Sequence, residues 1–179
     1  REVPGGCMCC ASGLPMQIAL NQLLSKAKPD RLLIEPTGLG HPKEVLQVLS
    51  AEYYKKVLSV QKTLTLVDAR KLTDQRYTSH DTFNQQIAIA DTIIGNKLDL
   101  YRESDRARLV DYVKHQGQKH ANVIFAEFGE VDLATLQGPI ASLPSQSNHH
   151  HDHQVTASIT DDIIPQCGYI KAVNEGEGF

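Results

Sequence analysis

Short apolar runs, each closing on a polar or acidic residue, recur between stretches of helical periodicity. Leu32-Leu33-Ile34 leads into Glu35, Thr63 to Val67 into Asp68, and Thr92-Ile93-Ile94 towards Asn96; Asn122 to Phe125 is a fourth run. Short, near-continuous apolar strands between helices are buried on both faces, so the pattern predicts an α/β fold: a parallel sheet with helices on both faces. Between the runs, Met16, Ala19, Leu20, Leu23, Leu24 and Ala27 recur at three- and four-residue steps. They form one face of a helix, with Pro15 in its first turn and Pro29 beyond its end. Further helices are expected over 42–56, 85–91 and 103–117. Sheets of this kind bind ligands beyond the carboxyl ends of their strands, where Glu35, Asp68 and Asn96 stand.

The 179 residues, 41% apolar and 22% charged, suffice for one packed domain and a remainder. Eighteen basic and 21 acidic side chains give a net charge of -3 without a basic block, so no nucleic-acid partner is expected. No apolar run approaches the roughly 20 residues of a membrane helix and no signal-peptide pattern opens the chain, so no membrane association is expected either. After Leu143 the character changes. Residues 144–154 contain no apolar side chain except Pro144, whereas Val155, Ala157 and Ile159 alternate with polar residues and Gly168 to Val173 offers a further strand. The expected organisation is a partial domain over 1–143, a His-rich linker over 144–154, and the start of a small β-containing C-terminal domain over 155–179. Beginning at Arg1 and ending at Phe179, the chain reads as an excerpt.

Asn96-Lys97-Leu98-Asp99 is the most informative motif. Guanine presents N1–H and an exocyclic amine side by side, and one carboxylate accepts both. Adenine lacks that pair, so a buried Asp99 would be left unsatisfied by it. Asn96 either reaches the O6/N7 edge or braces the loop, and the stem of Lys97 lies along the base. The bland alternative is a polar loop after a strand.

In Glu35-Pro36-Thr37-Gly38 the acid at a strand end suits Mg²⁺ held through water, or the orientation of an attacking water. The Gly38 N–H is free to approach a terminal phosphate. Asp68 is either a second acid at this edge or a cap.

Cys7, Cys9 and Cys10 fall within four residues after Gly5-Gly6. Cysteines this close do not staple a secreted fold, which favours a reducing, cytoplasmic setting. Three thiolates on one loop suit Zn²⁺ or a related metal such as Co²⁺ or Ni²⁺, in a site open to exchange. A redox pair or inert thiols are the alternatives. His149, His150, His151 and His153 form a second, weaker metal-binding tract, or a solvated linker. A phosphate-cradling G-x-x-x-x-G-K-S/T loop is absent from these residues, which contain no Gly-Lys dipeptide.

Taken together, the motifs resemble the CobW-like (CobW/HypB/UreG) branch of P-loop GTPases. Gly6-Cys7-Met8-Cys9-Cys10 is similar to the family's G-C-x-C-C metal motif, and Leu33 to Leu39 to its Walker B and switch segment. Gln86-Ile87-Ala88-Ile89-Ala90-Asp91 followed by Asn96-Lys97-Leu98-Asp99 is similar to its guanine-reading stretch. Val3 to Cys7 and Asn174 to Phe179 resemble the zinc-binding YeiR type. Pro36 stands where members usually carry a hydroxyl residue, and Gly5 where asparagine is common.

The resemblance implies a GTP-hydrolysing metallochaperone for zinc, using GTP and Mg²⁺. Glu35 and Gly38 would be catalytic, Asn96, Lys97 and Asp99 would read guanine, and Cys7, Cys9 and Cys10 would hold the metal. It further implies a client metalloprotein, and homo-oligomer formation is open. The missing phosphate loop implies N-terminal truncation and an inactive fragment. A metal-buffering protein that kept the fold without turnover is the alternative.

Overall fold

In the computed structural model the described residues are 14–36, 42–141 and 168–173. β2 (Ser59–Val67), β3 (Thr92–Gly95) and β4 (Asn122–Phe125) pair in parallel, in that order. β1 (Arg31–Ile34) joins them through β5 (Gly168–Val173), which runs antiparallel to both β1 and β2. The order is β1-β5-β2-β3-β4. Two successive reversals leave β1 parallel to β2, so Glu35, Asp68, Asn96 and Ala126 follow strands that all point the same way.

The strand expected over 168–173 is present as β5, paired in this sheet with β1 and β2. Ladder hydrogen bonds come from the backbone, so a short alternating pattern specifies a strand without specifying its partner. The linker 144–154 and residues 155–167 lie outside the described residues.

α1 (Leu14–Ala27) packs Met16, Leu20 and Leu24 in one cluster with Ile34 and with Val45, Leu46 and Leu49 of α2 (Pro42–Leu49). The single helix expected over 42–56 is broken. Ala51 is extended (φ -62, ψ 145) and α3 (Glu52–Lys55) starts anew, while Ser50 Oγ donates to the Leu46 carbonyl at 2.6 Å at the end of α2. The periodicity ran on because Tyr54 and Val57 still join the same cluster.

After the short α4 (Gln75–Thr78), the helices α5 (Asp81–Ile89) and α6 (Glu103–Gln116) place Phe83, Ile87, Leu109 and Val113 against Val67 and Ile93. The next residue, Ile94, belongs to another cluster with Leu64 and Ala126, flanked by Val131 and Leu136. Successive strand residues point to opposite faces, so α5 and α6 cover one face. Among the described residues the opposite face of β2–β4 packs against the chain after β4. That segment includes the 3-10 turn Leu133–Leu136.

Two local features hold the site's platform. A Cβ on Gly95 would fall 2.7 Å from Phe125 Cδ1 and 2.8 Å from Leu109 Cδ2, so the approach of α6 to β3 and β4 requires glycine just before Asn96. Asp91, expected inside a helix over 85–91, lies beyond its end. Its Oδ2 accepts the Thr63 N–H and its Oδ1 the Ala141 N–H, both at 2.8 Å. It thereby ties β2 to Ala141. No helix among the described residues is long and apolar enough to cross a membrane.

Candidate functional site

The loop after β3 is clamped on both sides. Asn96 N–H donates to Val67 O at 3.0 Å, and Leu98 N–H donates to Ala126 O at 3.1 Å. Asn96 Oδ1 accepts the Gly129 N–H at 3.0 Å, so the side chain braces the loop. Held between these bonds, Lys97 adopts the left-handed conformation (φ 64, ψ 40), a strained geometry for a residue with a side chain. Its Nζ lies 3.6 Å from Asp68 Oδ2.

Asp99 sits on the 3-10 turn Leu98–Leu100. Sequence reasoning pictured it buried, but the carboxylate is exposed and accepts no hydrogen bond among the described residues. The short turn projects from the sheet edge, where no neighbouring element desolvates it. Removal of water from this carboxylate would have to come from a ligand.

Asp68 is the buried acid of the edge, 2% exposed. It accepts from Arg70 N–H at 3.2 Å, Nε at 2.9 Å and Nη2 at 2.6 Å, capping the 3-10 turn Ala69–Thr73. Of its two sequence readings, the cap is the one made. Burial alone would raise its pKa, but the hydrogen bonds and charge of Arg70, aided by Lys97, outweigh burial and hold it below the ordinary 3.8. A lowered folded pKa means that this contribution to stability is complete above about pH 3.8 and is lost as pH falls through the folded value. Urea midpoints should therefore drop more steeply below that pH in the wild type than in Asp68→Asn; equal slopes would contradict the assignment.

Tyr101 was not singled out from the sequence. Its hydroxyl donates to Val67 O at 3.0 Å and accepts the Ala69 N–H at 2.7 Å, linking the end of β2 to the chain just after Asp99. Burial pushes its pKa up to about 12. The ring meets Phe125 edge-on, 6.3 Å between centroids. An aromatic two residues after the motif was the available signal, but its partners more than 30 residues away were not visible.

Glu35 is exposed at the end of β1 but is not brought to this cluster. Ile34 and Thr63 both oppose Ile170 of β5, so Glu35 is level with Leu64. That is four residues short of Asp68, roughly 13 Å along the strand at about 3.3 Å per residue.

Gly38, the metal-motif residues Cys7, Cys9 and Cys10, and His149, His150, His151 and His153 lie outside the described residues. Among the described residues no group of three or more His, Cys, Asp and Glu side chains could hold a metal ion.

The loop thus sets an exposed acceptor carboxylate beside a braced asparagine at the carboxyl edge of a parallel sheet, the edge where sheets of this kind bind ligands. Residues 1–125 match the family described as CobW/HypB/UreG, nucleotide-binding domain. The chain is 41% identical over 184 residues to Zinc chaperone YeiR of Escherichia coli (strain K12), covering 100% of this chain and 56% of that protein. It is 25% identical over 187 residues to Zinc chaperone CobW of Sinorhizobium sp., covering 85% and 53%. To Zinc chaperone YjiA of E. coli (strain K12) it is 28% identical over 144 residues, covering 76% and 43%. No solved structure gives a significant match. The chain belongs to the CobW/HypB/UreG family and spans about half the length of these curated relatives.

Proposed function

We propose that the full-length protein is a GTP-hydrolysing metallochaperone that binds zinc and passes it to a client metalloprotein, metal binding being coupled to the nucleotide state. The observation that carries this reading is the clamped Asn96–Asp99 loop in the same chain as the Cys7, Cys9 and Cys10 motif. Relatives named zinc chaperones support zinc as the cargo.

Asp99 would accept the paired N–H donors of guanine, with Asn96 fixing the loop and the stem of Lys97 lying along the ring. The exposed Glu35 carboxylate suits Mg²⁺ held through water, and the metal would neutralise phosphate charge there. The backbone of Gly38 would meet the terminal phosphate. Cys7, Cys9 and Cys10 would hold zinc as thiolates, with Co²⁺ or Ni²⁺ as chemically related cargoes. The linker histidines would raise the local metal concentration by tethering. A cytoplasmic location keeps these thiols reduced.

A second reading turns on the phosphate loop. No Gly-Lys dipeptide, and so no phosphate-cradling loop, occurs in these 179 residues. A metal-buffering protein without turnover is the reading that fits a protein lacking that loop throughout. The same observation predicts metal binding but weak GTP binding by the 179 residues alone.

Serine at positions 7, 9 and 10 together separates thiolate metal chemistry from its alternatives. In the full-length protein these substitutions should abolish tight zinc binding and metal-dependent GTP turnover while leaving GDP affinity intact. Unchanged zinc affinity and turnover would overturn the metal assignment, and turnover absent from the wild type would favour the buffer.

A further inference from the structure

The loop that braces Asn96 presents an aromatic ring to solvent. Phe128 is 82% exposed, whereas Phe83 is buried and Phe125 packs beside the core. An exposed phenyl ring forgoes the burial that normally stabilises it. Phe128 is also left-handed, with φ 50, a genuine outlier for a bulky side chain. The conformation is fixed locally: Glu130 N–H donates to Glu127 O at 2.9 Å, and Gly129 N–H donates to Asn96 Oδ1 at 3.0 Å. Two unfavourable features therefore coincide at the residue next to the brace of the base-reading loop. Gly129 also has φ 75, and a Cβ there would meet nothing within 4 Å, so the turn opens outward beside Phe128.

We propose that Phe128 is a specificity-independent stacking platform for the purine ring whose edge Asp99 reads. The inference rests on the guanine-nucleotide reading and adds to it the residue that binds the base by its face. Edge contacts to Asp99 select among bases, whereas a ring stacked on the face strengthens binding of any purine. The left-handed backbone sets where the ring leaves the chain, and its exposure leaves it open to a base.

The test is GDP binding by the full-length protein carrying Phe128→Ala, Phe128→Trp or Asp99→Asn. Phe128→Ala should weaken GDP about tenfold, from the usual strength of base–aromatic stacking, without lowering the urea midpoint. Phe128→Trp should retain affinity, and the new indole adds a signal read as the difference from the wild type. Its fluorescence should change with GDP and not with pyrophosphate, which has no base. If Phe128→Ala binds GDP as the wild type does while Asp99→Asn does not, the stacking role is wrong and the guanine site stands. If neither substitution changes GDP binding, the guanine reading fails and the stacking role with it.

Discussion

Asp99→Asn in the full-length protein is expected to remove the preference for guanine over adenine nucleotides and to weaken GDP by about 100-fold. A carboxylate accepting two N–H donors makes two charge-assisted hydrogen bonds, each of about 1.5–3 kcal/mol, so losing both corresponds to at least two decades in affinity. Asparagine offers one acceptor and one donor, which faces the guanine amine with like polarity. It matches xanthine, where a carbonyl replaces that amine, so xanthosine diphosphate should become the better ligand. Competition binding with the guanine, adenine and xanthine diphosphates measures all of this. The exposure of Asp99 makes the substitution clean, because the side chain accepts no hydrogen bond from the described residues.

Asp91→Ala is expected to have the largest effect on stability, lowering it by about 2–4 kcal/mol. Both carboxylate oxygens of this 7%-exposed residue accept backbone N–H groups, from Thr63 and Ala141 at 2.8 Å each. Removing the carboxylate leaves both donors unmatched, at about 1–3 kcal/mol apiece. With a urea dependence of about 1–3 kcal/mol per molar, the midpoint followed by far-UV circular dichroism should fall by roughly 1–2 M. Asp111→Ala, at an exposed position paired to Lys114, is the control and should stay within about 0.5 kcal/mol. Equal midpoints for the two variants would remove Asp91 from its place as the tie between β2 and Ala141.

Asp91 also shows where sequence reading succeeds and where it stops. The apolar runs of β1 to β4 and the heptad-like face of α1 were legible because burial writes itself into local periodicity. The loop position of Asn96 to Asp99 was legible because an apolar strand ends directly before it. The tie made by Asp91, the bridge made by Tyr101 and the brace from Gly129 to Asn96 were not legible. Each joins groups 28 to 50 residues apart, and no local spacing encodes such a pairing. The same limit hid the insertion of β5 between β1 and β2. Asp99 was misjudged for a different reason. Its chemistry was read from what it would bind, whereas its exposure is set by the chain alone. Asp68 lay between these cases: its strand-end position was visible, and its three hydrogen bonds from Arg70 decided its role.

The central proposal is that zinc and nucleotide bias one switch, and thermodynamic linkage makes that measurable without knowing the client. Zinc affinity of the full-length protein, read by competition with a chelating dye, should differ between the GTP-analogue and GDP states. A coupling of about 1–3 kcal/mol predicts binding roughly 5- to 150-fold tighter with the analogue, and zinc should tighten the analogue by the same factor. The same zinc affinity in both nucleotide states would contradict the account.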